Sequence, residues 1–249
     1  MTQQLGLFDG ASRVAAALDA PLSIRRSRRA RRLILRVVPP HTLELVVPFG
    51  THPADVSGFV ARHRQWIDDA RREIAAHYPR DVNRLPNRIE LVAIGETWAV
   101  EYRQTTGGRA LCKGAEGLLE VRSRDRDPAA MGRQVRVWLL RRAREHLKPW
   151  LLREAAALGL VPSGVQVRLQ RTRWGSCSSA GNVSLNAALL FVDAALVRYL
   201  FVHELCHLVS LNHSPRFWAA VQRFEPDYRV LDRRLGESWS EVPLWVYGR

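Results

Sequence analysis

The sequence predicts an α+β chain in which a small, mainly β N-terminal region with one helix precedes a long helix, a small sheet and a second helix. Three observations support this fold class. After Asp127-Pro128, apolar residues recur at every third or fourth position to about residue 158, as in an amphipathic helix. Short runs of strand-forming residues follow at 165–169, 174–178 and 183–185. A segment that is apolar on nearly all sides then begins at Ala194, which is typical of a buried helix.

Strand and helix patterns in the first half of the chain predict a small sheet that carries one helix. Residues 31–47 and 88–103 each have the pattern of a hairpin, and residues 118–121 add a strand. Apolar residues at helical spacing predict a single helix over 53–78, which Pro79 ends.

Length and composition allow one large domain or two small ones, because 249 residues with 47% hydrophobic content can bury a sizeable core. We expect a flexible N-terminal arm over 1–20, a β-rich region over 21–125 and the domain that carries the chemistry over 126–249. Pro149 lies inside the long helix and predicts a kink or a break there.

The segment His203-Glu204-Leu205-Cys206-His207 has the spacing of a metal-binding helix. Residues four apart on a helix lie on the same face, about 40° from each other. The imidazoles of His203 and His207 can therefore chelate one Zn²⁺, and Glu204 lies beside them as a general base. The alternative is two histidines with protein partners in the core and a surface glutamate.

A catalytic zinc site usually has three protein ligands, and His213 is the predicted third. A continuous helix would carry His213 about 9 Å along the axis and to the opposite face. Asn212 tolerates the left-handed conformation that ends a helix, and Ser214-Pro215 has the pattern of a helix start. The chain can thus reverse at His213. A carboxylate from Glu225 or Asp227 is the rival third ligand.

These residues belong to an ordered set of short motifs that resembles the YgjP-like family of zinc metallopeptidases, a family related to the SprT and WLM groups of the zincin superfamily. The arginine-rich stretch 24–32, followed by a strand, is similar to the usual opening of that family. The motifs that carry the resemblance are Trp174-Gly175-Ser176-Cys177, residues 182–186, residues 203–207, Asn212-His213-Ser214, Phe217-Trp218 and Pro226-Asp227-Tyr228.

The resemblance implies a zincin-like catalytic domain, in which the motif helix packs beneath a sheet whose edge strand borders the cleft. It also implies a zinc-dependent hydrolase, most simply a metallopeptidase that cleaves peptide bonds with a zinc-activated water and Glu204 as general base. Tyr228 and Arg173 are the residues that we expect to stabilise the oxyanion. Residues 174–178 would pair with an extended substrate as an edge strand.

The charge of the chain keeps two other functions open. A net charge of +14, almost wholly from arginine, favours an acidic partner such as a nucleotide or a nucleic acid. The densest arginine block, residues 25–36, leads into a strand and shows no interleaved aromatic residues. The alternatives are a nucleotide pyrophosphohydrolase (NTP or UTP type) on the same zinc site and a SprT/WLM-like DNA-associated protease or nucleic-acid-binding module. A non-catalytic zinc module would need a fourth ligand and would leave Glu204 without a role.

Cysteine usage and hydropathy indicate a cytoplasmic protein without a membrane span. Three cysteines, Cys112, Cys177 and Cys206, cannot form a disulfide framework, and we expect the last two to be buried thiols rather than ligands. No apolar run reaches the length of a membrane span, and the first residues lack the order of a signal peptide.

Overall fold

The computed structural model describes residues 22–38, 42–77, 84–106, 111–115, 117–124 and 127–248. The chain divides into two compact units, Met1–Arg80 and Asp81–Arg249. The predicted arm over 1–20 lies outside the described residues. The predicted domain boundaries at 20/21 and 125/126 stay a prediction.

Among its described residues, the first unit contains a three-stranded sheet and two helices. Strands β1 (Leu22–Ser27), β2 (Ile34–Val38) and β3 (Thr42–Pro48) lie in the order β1-β3-β2. The β2–β3 pair is antiparallel and confirms the predicted hairpin, whereas β1 pairs with β3 in parallel and was not predicted. Leu45 and Ile67 are fully buried in the small core of this unit.

The helix predicted over 53–78 is two helices, so that prediction is wrong in one respect. Helix α1 (Pro53–Arg62) ends at His63 and α2 (Arg64–His77) follows directly. The ring Nδ1 of His63 lies 2.8 Å from the carbonyl oxygen of Phe59. The backbone of His63, with a φ of −103° and a ψ of 13°, departs from helical values at this point.

The second unit begins with a four-stranded sheet in the order β4-β5-β7-β6. A short 3₁₀ turn, Val92–Ile94, joins its first two strands, which confirms the predicted second hairpin. The strands are β4 (Arg88–Leu91), β5 (Glu96–Gln104), β6 (Leu111–Ala115) and β7 (Leu118–Ser123).

Helix α3 (Pro128–Leu158) packs against this sheet and forms the centre of the unit's core. Asp127 caps its start by accepting hydrogen bonds from the backbone N–H of Ala129 and Ala130, and Gly159 ends it with a φ of 68°. The helix continues through Pro149, so the structure shows no break there.

A second sheet and three helices complete the unit and confirm the predicted order of long helix, small sheet and motif helix. Strands β8 (Gly164–Arg168), β9 (Gly175–Cys177) and β10 (Asn182–Asn186) lie in the order β8-β10-β9. Helices α4 (Ala194–Cys206), α5 (Pro215–Phe224) and α6 (Tyr228–Glu237) follow, with short 3₁₀ turns at Ala187–Phe191, Ser238–Glu241 and Leu244–Tyr247. In the described part of the chain, none of the helices has the length and apolar character needed to cross a membrane.

Candidate metal centre

Helix α4 carries His203 and Glu204, and His207 caps its C-terminal end. Asp193 caps its start, accepting a hydrogen bond from the Ala195 N–H at 2.8 Å. Its apolar residues are buried, and so are Glu204 and His207, which are 4% and 8% exposed. Helix α4 is buried because it has no polar face, and α3, α5 and α6 all pack against it.

The chain reverses after α4 and brings a third imidazole to the first two. The Ser210 hydroxyl bonds Asn212, and Ser214 caps α5 by accepting a hydrogen bond from the Phe217 N–H. His213 therefore returns to the end of α4, as predicted from Asn212 and Ser214-Pro215. Its Nε2 lies 3.1 Å from Nε2 of His203.

The three imidazoles fit a metal ion in number, distance and chemistry. One ligand atom from each of His203, His207 and His213 lies within 4.8 Å of the others. Two nitrogens bound to one tetrahedral zinc are about 3.3 Å apart, since each lies about 2.05 Å from the ion. Within the described residues the group contains neither of the rival carboxylates. Glu225 instead pairs with Arg198 at 2.5 Å.

In two of these rings, a hydrogen bond fixes the Nδ1 atom, which faces away from the space between the three imidazoles. Nδ1 of His207 lies 3.1 Å from the carbonyl oxygen of Ser210. A carbonyl oxygen only accepts, so Nδ1 carries the proton and Nε2 keeps its lone pair. Tyr199 donates its hydroxyl proton to Asp232 at 2.7 Å, and its oxygen lies 3.4 Å from Nδ1 of His203. That oxygen can only accept from His203, which leaves Nε2 of His203 free as well.

Burial keeps the imidazole of His203 neutral. It lowers the pKa of His203 to about 4, and the neighbouring rings of His207 and His213 add to the effect. Burial also lowers the pKa of His207, although the hydrogen bond to the Ser210 carbonyl oxygen acts to raise it. Neutral imidazoles are the form that binds metals.

Glu204 is buried next to these rings, and its carboxyl group occupies space that is free because residue 175 is a glycine. A Cβ atom on Gly175 of β9 would lie 2.6 Å from Oε1 of Glu204. Among the described residues, Oε2 of Glu204 has no hydrogen-bond partner. Burial raises the pKa of this carboxyl to about 8, and the positive charge of Arg173 opposes the rise. A buried carboxyl group with a raised pKa takes up a proton more readily than an exposed one, and its unused oxygen can bond a further group.

The two predicted oxyanion residues lie at different positions around this group. Arg173 is exposed and acts on Glu204 through its charge. Tyr228 is buried, and its ring stacks on Trp218, with ring centroids 5.1 Å apart. Trp218 in turn stacks on His213. The Tyr228 hydroxyl accepts a hydrogen bond from Nε of Arg229 at 3.1 Å.

The roles of three residues that shape the site, Gly175, Tyr199 and Asp232, were not identified from the sequence. Gly175 had a signal, since a glycine within a strand often marks a close approach of another group. The sequence around Tyr199 and Asp232 contains no comparable signal. Asn186 is fully buried and bonds the backbone of Gln170 and Arg173, so it braces the loop before β9.

Two free cysteines lie near the site, and only Cys206 is the fully buried thiol that was predicted. Cys206 is fully buried on α4, and burial raises its pKa to about 11. Cys177 is partly exposed on β9, and burial together with the charge of Glu204 raises its pKa. A thiol with a raised pKa is a weak nucleophile and a weak ligand.

A concave space of about 400 Å³ opens beside His207. Serine hydroxyls and small or apolar side chains line it, and the lining contains no charged carboxylate or guanidinium. The residues are Ser163, Ser178, Ser179, Ala180, Gly181, His207, Leu208, Val209, Ser210 and Leu211.

Comparison with known proteins agrees with this geometry. Residues 31–238 match the family described as YgjP-like, metallopeptidase domain. No curated protein matches the chain.

Two solved structures are similar over part of the chain. The metallopeptidase zymogen abylysin of Pyrococcus abyssi has a TM-score of 0.33 and 24% identity, covering 36% of this chain and 93% of its own. The zymogen jannalysin of Methanocaldococcus jannaschii has a TM-score of 0.33 and 18% identity, covering 37% of this chain and 95% of its own. Neither similarity is close enough to extend to substrate or mechanism.

Proposed function

The chain belongs to the YgjP-like family of metallopeptidase domains, and we propose that it is a zinc-dependent peptidase whose site consists of His203, His207, His213 and Glu204. A metallopeptidase is a hydrolase that acts on peptides or proteins. The observation that carries the proposal is the group of three imidazoles beside a buried carboxylate whose Oε2 has no hydrogen-bond partner in the described part of the chain.

In the proposed reaction, the chain supplies three neutral ligands and one base. A Zn²⁺ ion held by the three imidazoles would supply a Lewis acid that polarises the substrate carbonyl and makes a neighbouring water more acidic. Glu204 accepts the proton of the attacking water at Oε2 and later delivers it to the leaving amine. In the metal-free chain, burial raises the pKa of Glu204 to about 8, so its carboxyl group holds a proton at neutral pH. A cation held by the three neighbouring imidazoles would favour the carboxylate form that accepts the proton of the water.

Strand β9 is the proposed binding edge for the substrate backbone. Among the described strands it pairs with β10 alone, and the Trp174 carbonyl oxygen and the Ser178 N–H both make their hydrogen bonds to the β10 side. Strand alternation then directs the backbone groups of Gly175 and Cys177 to the opposite side. An extended peptide that pairs there would bring its carbonyl next to Glu204. The concave space beside His207 would accept an uncharged side chain of the substrate.

Arg173 and Tyr228 are the proposed stabilisers of the oxyanion that forms on the substrate carbonyl. Arg173 is favoured by its electrostatic effect on Glu204. Tyr228 is favoured by Arg229, which donates to its hydroxyl and leaves the Tyr228 proton free for another acceptor. We further propose that the protein works in the cytoplasm, on the basis of its cysteine content.

A direct test compares substrate classes. Zinc-loaded protein is incubated with an unbiased peptide library and with a panel of nucleoside triphosphates, and mass spectrometry records the products. We expect cleaved peptides and intact nucleotides, loss of cleavage with a chelator, and recovery when Zn²⁺ is added back. Hydrolysis of nucleotides without cleavage of any peptide would overturn the proposal in favour of a pyrophosphohydrolase.

A further inference from the structure

One edge of the first sheet brings an arginine-rich turn next to an aromatic turn. Strands β1 and β3 run parallel, with Ser27 opposite Pro48, so the turns that follow them leave the sheet at the same edge. The Phe49 N–H donates to the Ser27 carbonyl oxygen at 3.3 Å. The Ala30 N–H donates to the Ser27 hydroxyl oxygen at 3.2 Å. Ser27 therefore ties the two turns together.

Phe49 is held in an exposed position on the second turn. Its side chain is 54% exposed, and Gly50 after it has a φ of 84°, which lets the chain turn tightly. The guanidinium groups of Arg26 and Arg28 lie 5.7 Å and 5.3 Å from the centroid of the Phe49 ring. Both guanidinium groups lie over the ring, and a planar base can stack on the exposed part of the ring or on a guanidinium plane.

The arginines around Phe49 carry charge that the described residues do not neutralise. Arg25 and Arg36 pair with Glu44. Five other arginines of this edge are exposed, and none of them has an acidic partner within the described segments. Together with the ring they define the arginine–phenylalanine patch: Arg26, Arg28, Arg29, Arg31, Arg32 and Phe49.

We infer that the arginine–phenylalanine patch binds single-stranded nucleic acid, with a base on the Phe49 ring and neighbouring phosphates on the arginines. Unpaired bases expose the faces that stack on aromatic side chains, whereas the bases of a duplex are already stacked. The arginines supply the sequence-independent attraction to phosphate. An anionic membrane is less suited to the patch, because one phenylalanine offers little apolar area for insertion.

The test measures the binding of short fluorescent oligo(U) and oligo(dT) to the full-length protein by anisotropy, over a range of salt concentrations. Phe49→Leu keeps the apolar volume but removes the ring, and it should weaken binding about 5-fold or more. Phe49→Tyr keeps the ring and should bind like the wild type. The double variant Arg28→Gln/Arg31→Gln should reduce the slope of log affinity against log salt by about 1.4. The oligonucleotide that binds more tightly identifies whether the ligand of the patch is RNA or DNA.

A matched pair of exposed arginines elsewhere, Arg124→Gln/Arg153→Gln, controls for net charge and should leave affinity nearly unchanged. Peptide cleavage should be unaffected in all of these variants, so the outcome is independent of the proposed peptidase activity. The inference is overturned if Phe49→Leu binds like the wild type, or if a duplex of the same length binds as tightly as the single strand. Phe49-dependent binding to phosphatidylserine vesicles, without Phe49-dependent binding to either oligonucleotide, would assign the patch to membranes instead.

Discussion

The buried helix α4 and the exposed turn after it hold their imidazoles in different ways. His203 and His207 each direct one nitrogen to a fixed partner, the Tyr199 hydroxyl and the Ser210 carbonyl oxygen. His213 is exposed, and in the described part of the chain its polar contact is Nε2 of His203. Two of the proposed ligands are therefore pre-organised by packing, whereas the third is positioned by a short turn and two flanking aromatic rings.

The largest expected effect is the loss of zinc when any one of the three imidazoles is removed. The wild type should hold about one Zn²⁺ per chain. His203→Ala, His207→Ala and His213→Ala should each purify with almost none, measured by metal analysis after dialysis. If His213→Ala kept full zinc affinity, the comparison would fail, and Glu225 or Asp227 would have to be the third ligand.

A methyl group on β9 should damage catalysis without removing the metal. Gly175→Ala places a Cβ 2.6 Å from Oε1 of Glu204, so the carboxylate must shift. A displacement of about 1 Å in a catalytic group can reduce turnover about 100-fold. Steady-state kinetics and metal analysis would measure the two effects separately.

Gly236→Ala is the matched control, because nothing lies within 4 Å of a Cβ at that position of α6. It should keep full turnover and raise stability by about 0.5–1 kcal/mol, since alanine is the better helix former. Unchanged turnover in Gly175→Ala would show that Glu204 has more freedom than the packing indicates.

Removing the hydroxyl that orients His203 should have a smaller effect, on zinc affinity. Tyr199→Phe keeps the buried ring but loses the bonds to His203 and Asp232, and loss of such a partner typically reduces affinity about 10–100-fold. Tyr102→Phe loses a hydroxyl that donates to the Pro86 carbonyl oxygen and should leave zinc affinity unchanged. Competition with a fluorescent chelator would measure both variants. Equal affinity in the two would contradict the pre-organisation of α4.

The smallest expected effect is a change in which ring nitrogen of His213 carries the proton when zinc is removed. His203 and His207 should keep the proton on Nδ1 in the metal-free protein, because their partners are part of the fold. His213 should carry its proton on Nε2 in the metal-free protein, where it donates to Nε2 of His203, and should lose that tautomer when Zn²⁺ binds. Long-range ¹H–¹⁵N spectra of the imidazoles would record this. A tautomer change at His207 on zinc removal would remove the distinction between α4 and the turn.

Local sequence patterns predicted the parts of the site that depend on near neighbours. The spacing of His203 and His207, the reversal at Asn212 and the helix start at Ser214 all involve residues within one or two turns of each other. The bond between Tyr199 and Asp232 joins residues 33 positions apart. No local pattern reports such a contact, because it depends on how α4 and α6 pack.

The same limit applies to the fold. The β2–β3 hairpin followed from local alternation, but β1 did not, because its arginines hid a strand that forms only by parallel pairing with β3. The helix break at His63 is a change in the backbone dihedral angles of one residue, with a φ of −103°. It therefore escaped a prediction based on apolar spacing.

The most direct test of the proposed mechanism is the turnover of Glu204→Gln on a cleaved peptide. Glutamine has nearly the same shape but cannot take up a proton, so kcat should fall about 100-fold or more while zinc content and thermal stability stay at wild-type values. Glu237→Gln, which changes an exposed carboxylate of α6, should retain full turnover. Full turnover in Glu204→Gln would contradict its role as the base, and loss of zinc or of folding would show that Glu204 is structural.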